Sequence, residues 1–586
     1  MRTLLVSFNA QYVHTCLALY SLRTNAGYDD IVIREFTVNQ PLMECLGDTL
    51  AVEPDLVLIS VYIWNRSRAL SYAAEVRRIL PGTSVYLGGP EAAADAPGIL
   101  AENPGITGVF TGEAETSLAA FLPRFEREGV QAIADGLVLR EDFRPPAPPV
   151  ALSQLTFPYT DEELRLLGSR ILYYESSRGC PHSCTYCLSC VSGSLRQKPF
   201  GMVTEDLRRF IAAKVRLVKF VDRSFNVDPE RTAGILEAIL QAPDCHTSFH
   251  FEVSAEHLDS KARALLARMP AGRVQLEAGL QSATPRVLAA VRRTSDPARV
   301  ADALRALRPR ENVHIHLDLI AGLPRETYAS FLSSFDTAWR MEPDHLQVGF
   351  LKVLRGTPLY RDRAEYGLVH QEDPPYEILA TRDMTARELF RIRTLERVAG
   401  IYGGRETMPV TLQAAIGRFS GGPARFFLAL ADHLGESGTR DVPDREDRFL
   451  RMARFLEREM EGLLPWRGLL LFDFLRLCGN RRPGRSLCDP DQLRFLDRWS
   501  KNHELLEAFR RTLGVDRSAR LSKTVRPMVF SREVLALCPG GLSDGLDNGK
   551  GPVVLLFDHS VVQGIYGRPR IHVLAGLSPL VFGPPG

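Results

Sequence analysis

The hydrophobic pattern of the first 140 residues predicts short strands that alternate with helices. The apolar, β-branched runs occupy residues 3–8, 30–36, 55–64, 84–90 and 106–113. Helix patterns separate them, for example at residues 68–80. This alternation favours a doubly wound parallel sheet with helices on both faces. Ligands of such sheets bind beyond the carboxyl ends of the strands.

A second series of strands and helices follows. Helix patterns such as residues 204–213 and 229–242 separate the strands. The candidate strands occupy residues 171–176, 215–222, 247–254, 273–280, 313–320 and 345–350. This series predicts a partial (βα)6 TIM-like barrel, whose functional face lies at the carboxyl ends of its strands.

The remaining pattern divides the 586 residues into four parts. Four prolines within residues 142–150 mark a stiff linker. Beyond residue 375, helices are predicted at 376–402 and 445–464 and strands at 551–560 and 568–576. The predicted parts are residues 1–141, the proline-rich linker 142–168, the barrel 169–370 and a mixed, mostly helical C-terminal domain 371–586.

Composition and charge narrow the range of partners. The net charge of +2 implies no strong field for nucleic acid or anionic membranes. Eight lysines stand against 64 arginines, which we interpret as a composition bias, with arginines on solvated helix faces. No apolar run approaches the roughly 18 residues that span a bilayer, and the N-terminal apolar run is too short for a signal peptide. We therefore expect a cytoplasmic protein with reduced thiols, without a transmembrane segment and without a nucleic-acid partner.

Four cysteines are concentrated in the loop after the first barrel strand. Cys180, Cys184 and Cys187 have the spacing C-x3-C-x2-C, and Cys190 follows three residues later. A structural zinc site would need further ligands, for which His182 is a candidate, and a redox pair would need two thiols. Three thiolates on a short loop suit three irons of a [4Fe–4S] cluster and leave the fourth iron open to a ligand.

The stretch RGCPHSCTYC, residues 178–187, resembles the signature of the radical S-adenosylmethionine (radical SAM, AdoMet) superfamily. The resemblance implies that Cys180, Cys184 and Cys187 bind the cluster and that AdoMet chelates the open iron. Electron transfer from the cluster would then cleave AdoMet to a 5′-deoxyadenosyl radical. Cys190 is not part of the signature, and we interpret it as an incidental thiol.

Later stretches are similar to the family's cofactor-binding segments. The resemblance departs from the family at Arg325, where a small residue normally precedes Glu326. The carboxylates at successive strand ends are the features that a cofactor site needs. The resemblance implies AdoMet contacts at Tyr186, Asp222, Glu252, Glu277, Gln281, Ser282, Ile320 and Gly322.

The first 145 residues resemble the cobalamin-binding domain that precedes the radical core in one large subfamily. The implied cobalamin contacts are Asn9, His14, Trp64, Asn65, Gly88, Gly89, Glu91, Thr111, Gly112 and Glu113. The Asp-x-His-x-x-Gly motif that supplies a cobalt ligand in methionine-synthase-type domains is missing around His14. Cobalt is therefore expected to lack a strong lower ligand from the protein, with Trp64 and Asn65 near its lower face.

The resemblance implies a cobalamin-dependent radical SAM enzyme, and we expect a methyltransferase. One AdoMet would supply the 5′-deoxyadenosyl radical, a second would remethylate cobalamin, and the substrate radical would take its methyl group from methylcobalamin. A rearrangement, ring contraction or cyclisation is the alternative, and a non-catalytic cobalamin or AdoMet sensor is a third hypothesis. The residues identify no catalytic acid or base. The expected partners are a reductant such as flavodoxin or ferredoxin and a small-molecule, lipid or peptide substrate.

Overall fold

The N-terminal part of the computed structural model is a doubly wound sheet, as predicted. The structure describes residues 1–191, 194–436, 444–462, 464–479, 481–516, 521–539, 542, 552–563 and 568–574. The sheet has the strand order β2-β1-β3-β4-β5-β6, and all its strands are parallel except β6. Its elements are β1 (Thr3–Asn9), α1 (Leu17–Asn25), β2 (Ile31–Thr37), α2 (Leu42–Val52), β3 (Leu56–Ser60), α3 (Arg66–Ile79), β4 (Ser84–Gly88), α4 (Pro90–Ala93), α5 (Ala96–Glu102), β5 (Gly108–Phe110), α6 (Glu115–Glu128) and β6 (Leu137–Val138).

Side-chain alternation along the buried strands divides the apolar packing between two faces. In β1, Leu4, Val6 and Phe8 pack with α2, α3 and α5, whereas Leu5 packs with α1 and α6. Because successive side chains of a strand point to opposite faces, a strand buried on both sides is apolar along its whole length. In the central strands β3 and β4 the polar residues Ser60 and Ser84 accordingly lie at the strand ends.

The barrel sheet has the order β14-β13-β12-β11-β10-β7 with every pair parallel. Its first and last strands are not paired with each other, so the barrel is open between β7 and β14. The elements are α7 (Asp161–Leu167), β7 (Ile171–Tyr174), β8 (Ser177–Arg178), β9 (Arg196–Gln197), α8 (Phe200–Ala212), β10 (Leu217–Phe220), α9 (Pro229–Gln241), β11 (Ser248–Val253), α10 (Ser260–Arg268), β12 (Val274–Gln281), α11 (Pro285–Ala290), α12 (Pro297–Leu307), β13 (His314–Ala321), α13 (Tyr328–Arg340), β14 (His345–Phe350) and α14 (Pro358–Arg361). The predicted partial barrel is confirmed.

The C-terminal region is mostly helical and shares one apolar core with the barrel. This core extends from Phe157 to Phe557 and includes Tyr20 of the N-terminal sheet. The elements are β15 (Val369–His370), β16 (Ile378–Ala380), α15 (Ala386–Tyr402), α16 (Pro409–Ile416), α17 (Gly422–Glu436), α18 (Arg445–Glu459), α19 (Trp466–Leu477), α20 (Pro490–Arg498), α21 (His503–Leu513), α22 (Leu521–Thr524), β17 (Val525–Phe530), α23 (Arg532–Ala536), β18 (Val553–Gln563) and β19 (Arg568–Leu574). Strands β17, β18 and β19 form an antiparallel sheet.

Two boundaries predicted from the sequence differ from those of the structure. The run at 55–64 predicted one long strand, but β3 ends at Ser60. The helix predicted from residue 376 begins at Ala386, because Thr385 and Glu388 form a capping box that starts α15 there. Strands β15 and β16 pair across the predicted boundary at residue 370, so the four-part division stays a prediction.

Arg170 and Glu35 join the N-terminal sheet to the barrel. Glu35 lies in β2 and accepts hydrogen bonds from the amide of Cys16 (2.5 Å), the hydroxyl of Tyr20 (2.8 Å) and the guanidinium of Arg170 (2.8 Å). Asn9 also donates to Glu35 over 3.0 Å. One carboxylate therefore fastens the loop after β1 to the residue that precedes the first barrel strand.

Among the helices that the structure describes, none is both long enough and apolar enough to span a bilayer.

We predict that Glu35→Ala loosens this junction. The Glu35 and Arg170 side chains are 6% and 10% exposed. Removing one partner of a buried pair leaves the other charge uncompensated and costs about 3–5 kcal/mol. The first unfolding transition in a thermal melt should therefore occur at a lower temperature than in the wild type. The matched control is Glu205→Ala, whose partner Arg208 is 72% exposed, and it should melt like the wild type; equal melting of both variants would contradict the prediction.

Candidate functional site

The cysteine loop lies on the functional face of the barrel. It follows β7, and the short strands β8 and β9 pair across its base, Ser177 opposite Gln197 and Arg178 opposite Arg196. Cys184 is buried, while Cys180 and Cys187 are partly exposed, and all three thiols are free of disulfides. The side chain of Cys190 lies outside the described residues, so its interpretation stays untested.

The three thiols suit a cluster. Burial raises the pKa of the Cys180 thiol, and the nearby Cys187 and Cys184 thiols add to this rise. In the described chain, no three His, Cys, Asp or Glu side chains converge on one metal-ion position. A [4Fe–4S] cluster does not require such convergence, because each thiolate binds a different iron. Free, neighbouring thiols on one loop therefore fit the cluster that the spacing predicts.

Arg293 lies against this loop and was missed by the sequence analysis. Its guanidinium donates to the Cys184 Sγ over 3.8 Å and to the carbonyl oxygen of Gly279. Arg293 therefore places a positive charge beside the loop whose thiolates would bind the metal cluster. The available signal was a pair of arginines in an otherwise apolar segment, residues 288–293.

Asp222 holds the segment that leads into the cysteine loop. Its carboxylate accepts from the Ser176 amide (2.7 Å), the Ser176 hydroxyl (2.5 Å) and the Ser177 amide (3.1 Å). These bonds anchor the start of the cysteine loop, and the AdoMet contact expected of Asp222 stays a prediction. Its buried position places it beneath the loop.

The barrel interior is lined by polar side chains. Partly buried residues alternate with fully buried ones along β12 and β13, so one set of side chains faces the interior. Glu277 accepts from Lys219 (3.1 Å) and lies 2.9 Å from the His250 Nε2. These contacts, led by the one with His250, lower the pKa of Glu277 to about 2. Glu277 is therefore a permanent negative charge in the interior.

The pKa values of two other interior carboxyls are raised instead of lowered. Burial raises the pKa of Asp318 to about 8, and the charges of Glu277 and Glu252 add to this effect. Burial also raises the pKa of Glu252. The Asp318 Oδ1 is buried and has no hydrogen-bond partner within the described chain. Asp318 was missed by the sequence analysis, although it lies on the strand whose end was identified.

A row of histidines lies deeper in the interior. The ring of His316 lies 4.5 Å from His314, 5.4 Å from His345 and 6.1 Å from His250, measured between centroids. Burial, with His314 as the next contribution, lowers the pKa of His316 to about 4. The ring of His316 is therefore neutral at physiological pH.

The end of β12 is built around a glycine. A Cβ on Gly279 would lie 2.2 Å from the Gln281 Nε2, so the Gln281 side chain can fold over this position because it is glycine. The Gln281 Oε1 is buried without a partner among the described residues. Gln281 is thus available to a ligand, whereas the buried Ser282 lies 3.3 Å from the Ser334 hydroxyl.

The other expected AdoMet residues border the same opening. Ile320 faces the interior beside Gly349 of β14. Gly322 has a φ of +85° and donates to the buried carboxylate of Glu326 over 3.0 Å, which fixes the turn after β13. Tyr186 is half-buried, and burial raises its pKa. The structure brings these residues to one face of the barrel, while their contacts with AdoMet stay predictions.

At the carboxyl edge of the N-terminal sheet, glycines let neighbouring loops approach each other closely. Gly89 has a φ of +94°, and a Cβ there would lie 2.6 Å from the Val61 carbonyl oxygen. Gly88 ends β4, and its carbonyl accepts from the Val61 amide over 2.8 Å. The loops after β3 and β4 are thus in backbone contact. This arrangement leaves peptide groups and glycines at the edge, as a close-fitting ligand requires.

Trp64 is an exposed aromatic residue on this edge. It is 51% exposed and stacks on Tyr62 with ring centroids 4.4 Å apart and planes 4° apart. Asn65 is buried and donates to the carbonyls of Phe8 and Ser60, both over 3.1 Å. Trp64 therefore presents a flat apolar surface, and Asn65 holds the loop behind it.

His14 contacts the barrel. Its Nδ1 lies 2.8 Å from the hydroxyl of Tyr173 in β7. Burial, followed by the charges of Lys219 and Arg170, lowers the pKa of His14. The backbone of the same loop accepts from Asn9, whose Nδ2 lies 2.8 Å from the His14 carbonyl. The structure thus places His14 at the junction, in contact with the strand that faces the barrel opening.

Four further residues that were expected to contact cobalamin lie at the same edge. Glu91 pairs with Arg66 over 2.9 Å and accepts from the Tyr376 hydroxyl. Glu113 pairs with Arg178 and Arg196. Thr111 donates its hydroxyl to a carbonyl over 2.9 Å, and Gly112, with a φ of +75°, adjoins it. These side chains lie at the predicted edge, and their cobalamin contacts stay predictions.

Comparison with known families matches three consecutive segments. Residues 10–122 match the B12 binding domain and residues 174–338 match the radical SAM superfamily. Residues 364–536 match a protein family of unknown function, DUF4080.

Two curated relatives are methyltransferases. The cobalamin-dependent radical SAM methyltransferase TokK of Streptomyces tokunonensis is 26% identical over 59% of this chain and 55% of its own. The 2-(S-pantetheinyl)-carbapenam-3-carboxylate methyltransferase of Streptantibioticus cattleyicolor is 26% identical over 53% of this chain and 49% of its own. The chain thus spans about half the length of these relatives.

Solved structures share the architecture. The cobalamin-dependent S-adenosylmethionine radical enzyme OxsB, with aqua-cobalamin and S-adenosylmethionine bound, aligns with a TM-score of 0.57 over 89% of this chain and 83% of its own at 12% identity. The radical S-adenosylmethionine methyltransferase TsrM of Kitasatospora setae aligns with a TM-score of 0.53 over 62% of this chain and 76% of its own at 17% identity. The chain thus contains a segment that matches a B12-binding domain, followed by one that matches the radical SAM superfamily, and it is similar in sequence to a cobalamin-dependent radical SAM methyltransferase.

Proposed function

We propose that this chain transfers a methyl group to a carbon atom of its substrate. The observation that carries the proposal is one junction: the free thiols Cys180, Cys184 and Cys187 and the exposed Trp64 edge lie on two domains joined by Glu35–Arg170 and His14–Tyr173. The methyltransferase relatives TokK and the carbapenam enzyme support it.

The cluster site is formed by the three thiols and their surroundings. When bound, the cluster supplies the electron that cleaves AdoMet, and cobalamin supplies the methyl group. Arg293 lies where it offsets the negative charge of the thiolates. Asp222 holds the strand end beneath them. Both residues act by fixing and balancing the ligands rather than by moving protons.

The B12-binding edge offers an aromatic face rather than a metal ligand. His14 is engaged by Tyr173, 2.8 Å away, and its loop lacks the Asp-x-His-x-x-Gly motif. Trp64 presents a stacked, half-exposed ring at the same edge. Trp64 would help to hold the corrinoid, and its ring, which has no basic nitrogen, would exclude water there without offering a lone pair to the metal.

The barrel interior favours a polar substrate over a lipid. Lys219, Glu277 and His250 form one hydrogen-bonded group, and Glu252 and Asp318 lie near it. An apolar chain in this chamber would keep water from the charged Lys219–Glu277 pair and from the Asp318 Oδ1, which has no hydrogen-bond partner among the described residues, and this is costly. A small molecule or peptide with hydrogen-bonding groups fits this lining better than a lipid does.

Cofactor loading tests the assignment directly. Anaerobic reconstitution with iron, sulfide and hydroxocobalamin should give about four irons and one cobalt per chain. Cys184→Ala should lose the cluster and all AdoMet cleavage but keep cobalt, because the thiolate is a cluster ligand. The matched control is Cys245→Ala, a buried free thiol on the far side of the barrel core, which should load iron fully. Iron retained by Cys184→Ala, or zinc in place of iron, would refute the cluster site.

Product analysis separates methyl transfer from rearrangement. Methyl transfer with radical generation consumes two molecules of AdoMet, so S-adenosylhomocysteine and 5′-deoxyadenosine should accumulate in about equal amounts per product. A rearrangement or cyclisation would form 5′-deoxyadenosine without S-adenosylhomocysteine. Liquid chromatography of both nucleosides during turnover decides between them, and no S-adenosylhomocysteine would refute methyl transfer.

Asp318 predicts a pH effect on stability. Because its folded pKa is raised to about 8, the folded chain holds a proton that the unfolded chain has lost above pH about 4. Stability therefore falls as pH rises between these values, by up to about 1.4 kcal/mol per unit, and levels off above pH 8. Asp318→Asn removes this loss, so its melting temperature relative to wild type should rise from pH 5 to pH 8. Asp497→Asn, at the surface, controls for the substitution; an unchanged difference for Asp318→Asn would contradict the prediction.

A further inference from the structure

The base of the cysteine loop places two arginines opposite each other. Strands β8 and β9 pair antiparallel, and Arg178 and Arg196 are direct cross-strand partners. Arg178 stands two residues before Cys180. Like charges directly opposite each other on paired strands are destabilising. The loop that carries the cluster cysteines is therefore closed by a pair that repels unless a negative charge lies beside it.

Part of that charge comes from the B12-binding domain, and for Arg196 the carboxylate is Glu113 of that domain. Glu113, in the loop after β5, lies 3.1 Å from the Arg178 Nη1 and 3.2 Å from the Arg196 Nη1, and its other oxygen contacts the Arg196 Nη2. The same carboxylate accepts from the Val150 amide over 3.2 Å. One carboxylate thus bridges both guanidinium groups and reaches the linker.

Glu115 adds a second attachment to Arg178. Its two oxygens lie 2.5 Å and 3.3 Å from the Arg178 Nη2 and Nη1, and its side chain is 7% exposed. On the barrel side, Glu175 lies 2.7 Å from the Arg178 Nε. Arg178 is therefore held from both domains. Its guanidinium makes two parallel bonds to the Glu115 carboxylate, which a lysine could not do.

We propose that Glu113 and Glu115 are positioning residues that clamp the base of the cluster loop and so set its place relative to the B12-binding edge. The proposal rests on the proposed function only where it refers to the bound cofactors. Neither carboxylate needs to touch a cofactor to act in this way. The clamp gives Glu113 a role different from the cobalamin contact expected from the sequence.

Amide hydrogen exchange of the apoprotein tests the clamp without any cofactor. Glu113→Gln should speed exchange in peptides that cover residues 174–180 and 194–200 by about tenfold, because opening of β8 and β9 becomes easier. Adding Arg196→Gln to Glu113→Gln should slow exchange again, since it removes the repulsion. If Glu113 only filled space, the double variant would exchange as fast as the single variant or faster.

The matched control breaks another pair between the same parts of the chain. Glu163→Gln removes the partner of Arg23, and both side chains are similarly buried at 19% and 21% exposure. This pair does not touch β8 or β9, so exchange in the two peptides should match wild type. Equal exchange in Glu113→Gln, Glu163→Gln and wild type would overturn the proposal.

The loaded protein gives a second readout that is not activity. Electron paramagnetic resonance of the reduced cluster together with the Co(II) corrinoid reports their magnetic interaction, which depends on distance. In Glu113→Gln the magnetic interaction should become weaker or spread over a wider range of values. In Glu163→Gln it should equal that of the wild type. A wild-type protein without iron or cobalt would refute the proposed function, and the exchange experiment on the apoprotein would still decide whether the clamp exists. An interaction unchanged in Glu113→Gln would overturn the positioning role.

Discussion

Ion pairs between arginines and carboxylates hold the B12-binding sheet against the barrel, and the proposed chemistry depends on them. Glu35 meets Arg170, Glu115 meets Arg178, and Asp95 meets Arg355. Arg170 leads into β7 and Arg355 follows β14, whereas Arg178 lies in β8 at the base of the cysteine loop. Because guanidinium groups bind carboxylates in a fixed plane, such pairs fix orientation as well as proximity. Two cofactor sites on separate domains need that kind of alignment.

These pairs change the interpretation of the chain's arginine content. The excess of arginine over lysine suggested only solvated helix faces. Arg66, Arg170 and Arg178 are instead largely buried, at 11%, 10% and 15% side-chain exposure. Arg66 binds Glu91 and Asp95 on its own domain, and Asp95 in turn binds the barrel side. The composition bias is therefore partly a structural requirement of the junction.

Local patterns predicted the fold well, whereas contacts between distant residues escaped them. The strand positions and the cysteine loop follow from apolar periodicity and spacing, which a short window contains. The roles of Asp222 and Glu113 depend on partners 46 and 83 residues away. From the sequence alone, a carboxylate that binds a ligand could therefore not be distinguished from one that binds another part of the protein. Arg293 and Asp318 were missed for the same reason: their importance comes from Cys184 and Glu277, which only the folded chain brings near.

The shared apolar core has a consequence for how the molecule is divided. The barrel and the C-terminal helices are packed into one hydrophobic cluster, and in the described chain Tyr20 is the sheet domain's single fully buried member of it. Leu17 and Ile33 of the B12-binding domain pack against the outside of this core, and ion pairs and hydrogen bonds supply further contacts. The barrel and the C-terminal helices thus share one interior, to which the B12-binding sheet contributes few side chains. A corrinoid module attached in this way can be gained, lost or exchanged during evolution without rebuilding the interior of the catalytic body.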